Sequence, residues 1–208
     1  DNFTNPNDVG FDHFFGYVNM WHAHNFYPEF LIRNGKVVKL QNEVAPKWKK
    51  WQDPKLPQAG RGVAAKRVEY APDLFAEDAL RFIRENHQRP FFLYFAMNVP
   101  HANNEAGNAG MEVPDLGKFA KKDWPAPEKG FAAMIKNIDR DTGRILDLLR
   151  ELKIATTRLC FSLRTTAPIR KADTRRIFLT PMASIAASSV TFTKVAFVSP
   201  PSRGGPVP

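Results

Sequence analysis

The chain has 208 residues, 43% of them hydrophobic, and a formal net charge of +9, which is length enough for one domain with a sizeable core. No apolar run approaches the ~20 residues of a membrane-spanning helix, and from the polar opening Asp1–Gly10 no signal peptide is expected within these residues. One cysteine, Cys160, excludes an internal disulfide and argues against a cysteine-built zinc site. The charge suggests nucleic acid until its distribution is read. Residues 155–208 carry eight bases against a single acid, Asp173, whereas residues 1–154 carry 22 bases against 20 acids.

Gly10–Tyr17 mixes turn glycines with the rings of Phe11, Phe14, Phe15 and Tyr17, the pattern of a packed surface loop running into a short strand. Asn34-Gly35 between the apolar pairs Leu31-Ile32 and Val37-Val38 predicts a two-residue hairpin. Residues 44–62, rich in Pro and Lys with Trp48 and Trp51, are expected to be an exposed basic excursion. Residues 72–87 predict a helix: Leu74, Phe75, Ala79, Phe82 and Ile83 share one face, and Pro72 and Asp73 suit its first turn. Phe91–Met97 is continuously apolar and reads as a strand buried on both faces, as in a parallel α/β sheet. Residues 102–127 form a long loop of the length that often carries function. Residues 128–152 give the clearest helix, with Phe131, Met134, Ile135, Ile138, Thr142, Ile145, Leu149 and Leu152 in one stripe. This alternation points to an α/β fold. After Ile154 the chain turns Ser-, Thr-, Arg- and Pro-rich, and residues 155–208 are expected to be a basic, disordered tail.

Several of these pieces resemble the sulfatase family in order and spacing. Gly10–Tyr17 and His22-Ala23-His24-Asn25-Phe26-Tyr27-Pro28 look like the stretch downstream of the family's Gly-Lys-Trp-His motif. Pro90–Ala96 followed by Pro100-His101 is similar to its central strand and the histidine beyond it. Ile138–Gly143 resembles the helix before its second metal strand. The resemblance covers roughly residues 9–154. It implies a partial alkaline-phosphatase-like mixed sheet with flanking helices, a partial catalytic domain over 1–154, and an exported, periplasmic or secreted parent.

It also implies hydrolysis of sulfate esters on a small molecule or polysaccharide, with Ca2+ held by Asp and Asn and a formylglycine made within a Cys/Ser-x-Pro-x-Arg motif. The chain is therefore expected to be an internal piece, inactive alone, with the formylglycine precursor, the N-terminal Asp-Asp pair and the Gly-Lys-Trp-His motif all lying outside it. His101 is the residue carried over as catalytic, in contact with sulfate or leaving group, and Asn103 is a candidate substrate contact. No residue here is assigned to metal. His22 and His24 have the spacing of a ligand pair but are expected to pack or to shape the cleft, and Asp139 and Asp141 to serve at the helix surface or as caps. A phosphoesterase or phosphonate hydrolase of the same superfamily, and a non-catalytic basic binding protein, are the competing readings. Nucleic acid is not an expected partner.

The tail has a second feature. Joining the third base of each codon to the first two of the next makes Thr156–Ile169 compatible with Asn-Thr-Leu-Val-Phe-Phe-Thr-Ser-Asp-Asn-Gly-Pro-His, the family's metal strand. The same frame makes Ser189–Val198 compatible with Arg-Asp-Leu-Tyr-Glu-Gly-Gly-Ile-Arg, similar to its substrate-lysine region. A one-nucleotide frame change near Ile154–Thr156 accounts for both.

Overall fold

The computed structural model describes residues 5–155, 159–164 and 193–198. The elements run β1 (Phe15–Gly16), short helix α1 (Met20–Ala23), β2 (Phe30–Arg33), β3 (Lys36–Lys39), β4 (Glu43–Val44), β5 (Ala64–Lys66), α2 (Ala71–Asn86), β6 (Phe92–Ala96), α3 (Ala126–Glu151), β7 (Leu159–Arg164) and β8 (Thr193–Val198). They form three small sheets, ordered β1-β2-β3, β4-β5 and β6-β8-β7. The class is mixed α/β, with helices beside short sheets. No helix among the described residues is long and apolar enough to cross a membrane.

The hairpin forms where its dipeptide places it. Asn34 and Gly35 both take positive φ, 48° and 76°, the requirement of the turn whose twist matches paired strands. Asn34 also accepts a hydrogen bond from the Phe14 amide at 2.7 Å, which helps to hold β1 beside β2.

Helices α2 and α3 supply most of the main core, where Phe75, Ala76, Ala79, Leu80 and Ile83 meet Met134, Ile138, Ile145, Leu148 and Leu149. The stripe expected on α3 is right except at one edge, since Ile135 is 41% exposed while Leu148 takes an inner place. Polar contacts clamp the two helices together. Arg140 reaches Asp73 at 2.5 Å and Arg144 reaches Glu77 at 2.6 Å, and both also hold Asp141. Asp141 is therefore neither a surface nor a capping residue. It is buried, and its carboxylate orients the two arginines that cross to α2. Asp78 does similar work at the other face of α2, accepting from Arg33 of the hairpin, from Arg81 and, at 2.7 Å, from His13.

The structure corrects the sheet expectation. All strand pairs among the described residues are antiparallel, including β6 with β8. β6 is not buried on both faces: Phe92 is 48% and Tyr94 41% exposed, while Phe95 is buried. An aromatic run that does not alternate in composition still alternates in environment, because side chains on a strand point to opposite faces. Residues 44–62 are also more than a solvated excursion, because β4 and β5 pair at their base and Trp48 is half-buried above Gly62. The tail contributes β7 and β8, and the expectation of disorder for the rest of it lies outside the described residues.

Asp141→Ala should destabilise the fold by about 1–2 kcal/mol, the low end of the scale for hydrogen bonds to charged groups, because it removes the buried carboxylate that orients Arg140 and Arg144 while those half-exposed arginines keep Asp73 and Glu77 as partners. Denaturant unfolding measures this, and a change below about 0.5 kcal/mol, the scale of ordinary surface substitutions, would contradict the clamp.

Candidate functional site

Beyond the end of β6 the chain is pinned before it turns. Asn98 donates to the Ala23 carbonyl at 2.7 Å and to the Tyr17 hydroxyl at 3.2 Å, tying this end of the strand to the α1 segment. Val99-Pro100 is a cis bond, and His101 opens the loop that follows. The pinning brings His24 against His101: the rings are parallel to within 7°, with centroids 5.1 Å apart.

The surroundings of this imidazole pair are polar and tightly built. His24 Nδ1 lies 3.3 Å from Glu105 Oε2, and neither atom has an aligned hydrogen bond. Asn104 donates to His24 Nε2 at 3.3 Å. Glu105 Oε1 accepts from Arg61 Nε at 2.9 Å, and the carboxylate side chain is only 1% exposed. Arg61 lies between two indoles, 4.3 Å from the Trp21 ring and 5.4 Å from Trp48. His101 Nδ1 contacts the Ala102 carbonyl at 2.7 Å.

Burial holds His101 below its ordinary value of 6.5, with the neighbouring His24 acting in the same direction; the Ala102 carbonyl and Glu105 oppose them. Burial alone would raise Glu105, but the contact with and charge of His24, its own backbone N–H and the charge of Arg61 outweigh it and keep the carboxyl ionised.

Asn103 sits under the loop rather than at its surface. It is 0% exposed, donates to the Gly62 carbonyl at 3.0 Å and to Glu112 Oε2 at 2.8 Å, and accepts from the Glu105 amide at 3.1 Å. The loop folds so closely here that a Cβ on Gly110 would stand 2.4 Å from the Asn103 carbonyl oxygen. His22 is separate from His24. It is buried, receives the Val18 amide at Nδ1 and donates from Nε2 to the Phe30 carbonyl at 2.8 Å, and burial lowers it to about 3. Gly60, at φ 76°, packs on its ring, where a Cβ would come within 2.2 Å.

The donor set does not fit a calcium ion. No group of three His, Cys, Asp or Glu among the described residues is arranged to hold a metal. Four buried carboxylates are committed to bases instead, Asp78 to Arg33 and Arg81, Glu105 to Arg61, Glu112 to Arg67, and Asp141 to Arg140 and Arg144, while Glu128 is buried in the first turn of α3 with its Oε2 unpartnered. The formylglycine expectation needs one correction. The bare spacing Ser-x-Pro-x-Arg does occur, at Ser199–Arg203, but far from the motif's expected place ahead of this region and outside the described residues.

The fold is shared with two solved structures. It aligns with the crystal structure of Ps i-CgsB in complex with k-i-k-neocarrahexaose, and with that of Ps i-CgsB itself, at a TM-score of 0.57 and 21% identity in each case. Both alignments cover 95% of this chain and 41% of theirs. In sequence the chain is 31% identical over 90 residues to N-acetylgalactosamine-6-sulfatase of Sus scrofa and 29% identical to that of Canis lupus familiaris. Those matches cover 42% of this chain and 15% of each relative. No family model matches. The chain thus has a mixed α/β fold that matches part of those solved structures, and over 90 residues it is similar in sequence to sulfatases.

The His24–Glu105–Arg61 relay was hidden in the sequence, where Arg61 stands in a lysine-rich loop and Glu105 among polar loop residues. The recurrence of aromatic and histidine side chains at Trp21, His22 and His24 was the signal available. In an NMR titration, Glu105→Gln should move the His101 midpoint further down and His24→Gln should move it up, since each variant removes one electrostatic influence on the ring. Unchanged midpoints in both would show that the stacked geometry does not hold in solution.

Proposed function

We propose that this chain carries the middle portion of a sulfate-ester hydrolase, with His101 serving the leaving-group side of the ester. The observation behind the reading is the stacked His24–His101 pair beyond the end of β6, backed by the ion pair of the buried Glu105 with Arg61. With Nδ1 engaged by the Ala102 carbonyl, His101 Nε2 is the atom that serves an ester oxygen. An approaching sulfate is anionic and favours the imidazolium. The site thereby gains a proton in the presence of substrate, and His101 hands it from Nε2 to the departing alcohol oxygen. Glu105 favours the same protonated form.

In this reading Asn103 is a positioning residue. Its amide holds Gly62 and Glu112, and its carbonyl oxygen receives the Glu105 amide, fixing the loop beside His101. Calcium and a formylglycine nucleophile are the family's means of polarising and attacking the sulfate. No three metal-ligating side chains come together among the described residues, so in this reading the ligands and nucleophile come from other parts of a complete enzyme, and the chain as it stands does not turn over. Residues 1–154 are the in-frame portion of that domain and residues 155–208 its continuation read one nucleotide out of frame. The substrate is a sulfated small molecule or polysaccharide, a reading supported by the names of the sulfatase relatives and by the oligosaccharide held in one solved neighbour. The complete enzyme works in the periplasm or outside the cell.

The purified chain should show no turnover of a chromogenic aryl sulfate above buffer, with or without added calcium. Metal-dependent turnover abolished by His101→Ala would overturn the inactivity while supporting the histidine's role. Separately, coding DNA across codons 154–208 should spell the Ser-Asp-Asn-Gly segment in the shifted frame, and first bases that spell other residues would end the frame proposal.

A further inference from the structure

The polar cluster behind His101 does not stop at Arg61. The arginine is sandwiched between Trp21 and Trp48, and Trp48 belongs to the 3-10 turn Pro46–Trp51 that rises from the β4–β5 ribbon. From Trp48 to Arg61, Trp21, His24 and His101 the successive separations are 5.4, 4.3, 6.0 and 5.1 Å. The turn and its flanks are strongly basic. Residues 44–62 hold Lys47, Lys49, Lys50, Lys55 and Arg61 against the single acid Asp53. Lys47 and Lys50 are exposed, with their ammonium groups 5.2 Å from the Trp48 ring and 5.1 Å from the Trp51 ring. A solvated loop has no reason to be tied to the site. Here Arg61 joins the turn through Trp48, Trp21 through its guanidinium face, and Glu105 through Nε.

We propose that the Pro46–Trp51 turn is a secondary binding surface for an anionic sugar chain, holding sulfated units of a polysaccharide next to the one whose ester reaches His101. The chemistry fits on two counts. With Trp48 engaged by Arg61 and Lys47, the partly exposed Trp51 offers an apolar indole surface to the C–H faces of sugar rings, and the flanking ammonium groups of Lys47 and Lys50 meet sulfates on the same chain. The proposal rests on the sulfate-ester reading of the His101 site and narrows its substrate from a small molecule to a polymer. It also assigns Arg61 as the positioning residue that couples the two surfaces, since its guanidinium is already occupied by Glu105, Gln58 and two rings.

Tryptophan fluorescence of the full chain, titrated with a sulfated oligosaccharide, with the same oligosaccharide desulfated and with a sulfated monosaccharide, tests this. The sulfated oligomer should bind at least tenfold more tightly than either control. The double variant Lys47→Glu/Lys50→Glu, at exposed positions, and Trp51→Ala should each erase most of that advantage while leaving the circular dichroism spectrum unchanged. His101→Ala should lower affinity for the sulfated monosaccharide yet keep the oligomer's dependence on Lys47 and Lys50. That pattern distinguishes the two readings: oligomer binding that survives His101→Ala while the monosaccharide fails to bind even wild type would sink the His101 reading alone. Equal affinity for the sulfated and desulfated oligomers overturns the turn proposal. So does equally tight binding of single-stranded DNA of matched charge, which would make the surface a general polyanion patch. Loss of the oligomer advantage in neither variant overturns it as well.

Discussion

Buried amide side chains hold this structure's loops, and the geometry around His101 depends on them. A chain with so much irregular backbone must find partners for N–H and C=O groups that no helix or strand satisfies. Three asparagines and one histidine meet much of that need. Asn42 uses its full capacity, accepting from the Val68 and Glu69 amides and donating to the Pro28 and Glu69 carbonyls. Asn25 donates to Gly60 and receives the Tyr27 amide, Asn103 donates to Gly62, and His22 joins Val18 to Phe30. All four side chains are 3% exposed or less. Together they stitch residues 17–30 to residues 59–69 and those to the loop after His101.

Magnitudes show why this matters more than the plentiful surface ion pairs. Stranding a buried polar partner costs about 1–3 kcal/mol, whereas an exposed pair such as Arg150–Asp147 or Lys66–Glu43 contributes roughly 0.2–1 kcal/mol. Arg61 owes its place to the first kind of contact. The residues on either side of it, Gly60 and Gly62, have carbonyls gripped by Asn25 and Asn103, and a ring packs closely on each glycine. The guanidinium is thus delivered by fixed backbone to Glu105, and Glu105 to His24. A site assembled from loops gains the precision of one built on regular elements when its loops are anchored in this way.

That dependence also explains what was legible in the sequence. The hairpin could be read because Asn34-Gly35 has a local conformational demand, and α2 and α3 because their apolar residues repeat at the helical period. Local signals of this kind do not require knowing what lies across the molecule. His101 could be singled out only through its resemblance to a family motif. Asn25, Asn42 and Asn103 look like ordinary loop residues, since a buried asparagine and an exposed one are spelled alike; the difference lies in carbonyls 14 to 41 positions away. Asp141 was misplaced for the same reason. Its partners Arg140 and Arg144 are visible along the helix, but the second helix, whose Asp73 and Glu77 draw those arginines across the seam, is not. β6 was misread because aromatic residues fill both its faces, and composition then says nothing about which face is covered.

Charge balance sets the limit on what this cluster accomplishes by itself. Glu105 is countered by Arg61, so the pair offers an incoming anion little net attraction, and what remains comes from the imidazoles. Burial disfavours the charged form of His101, and its stacked neighbour disfavours it further. In the proposed reading a sulfate ester draws a proton onto His101, at a cost that rises with pH once the pH exceeds that ring's lowered midpoint. Hydrolysis also concentrates negative charge on the leaving oxygen while the nucleophile brings more. One imidazole can neutralise the former, but the latter requires fixed positive charge on the opposite side of the sulfur. The buried carboxylates around the site, Glu105 and Glu112, are each bound to an arginine and are in no position to gather a cation for that purpose. Under the proposed hydrolase reading, the arrangement is one half of an electrostatic pair that would orient an ester and protonate its alcohol once the opposing half supplies the remaining charge.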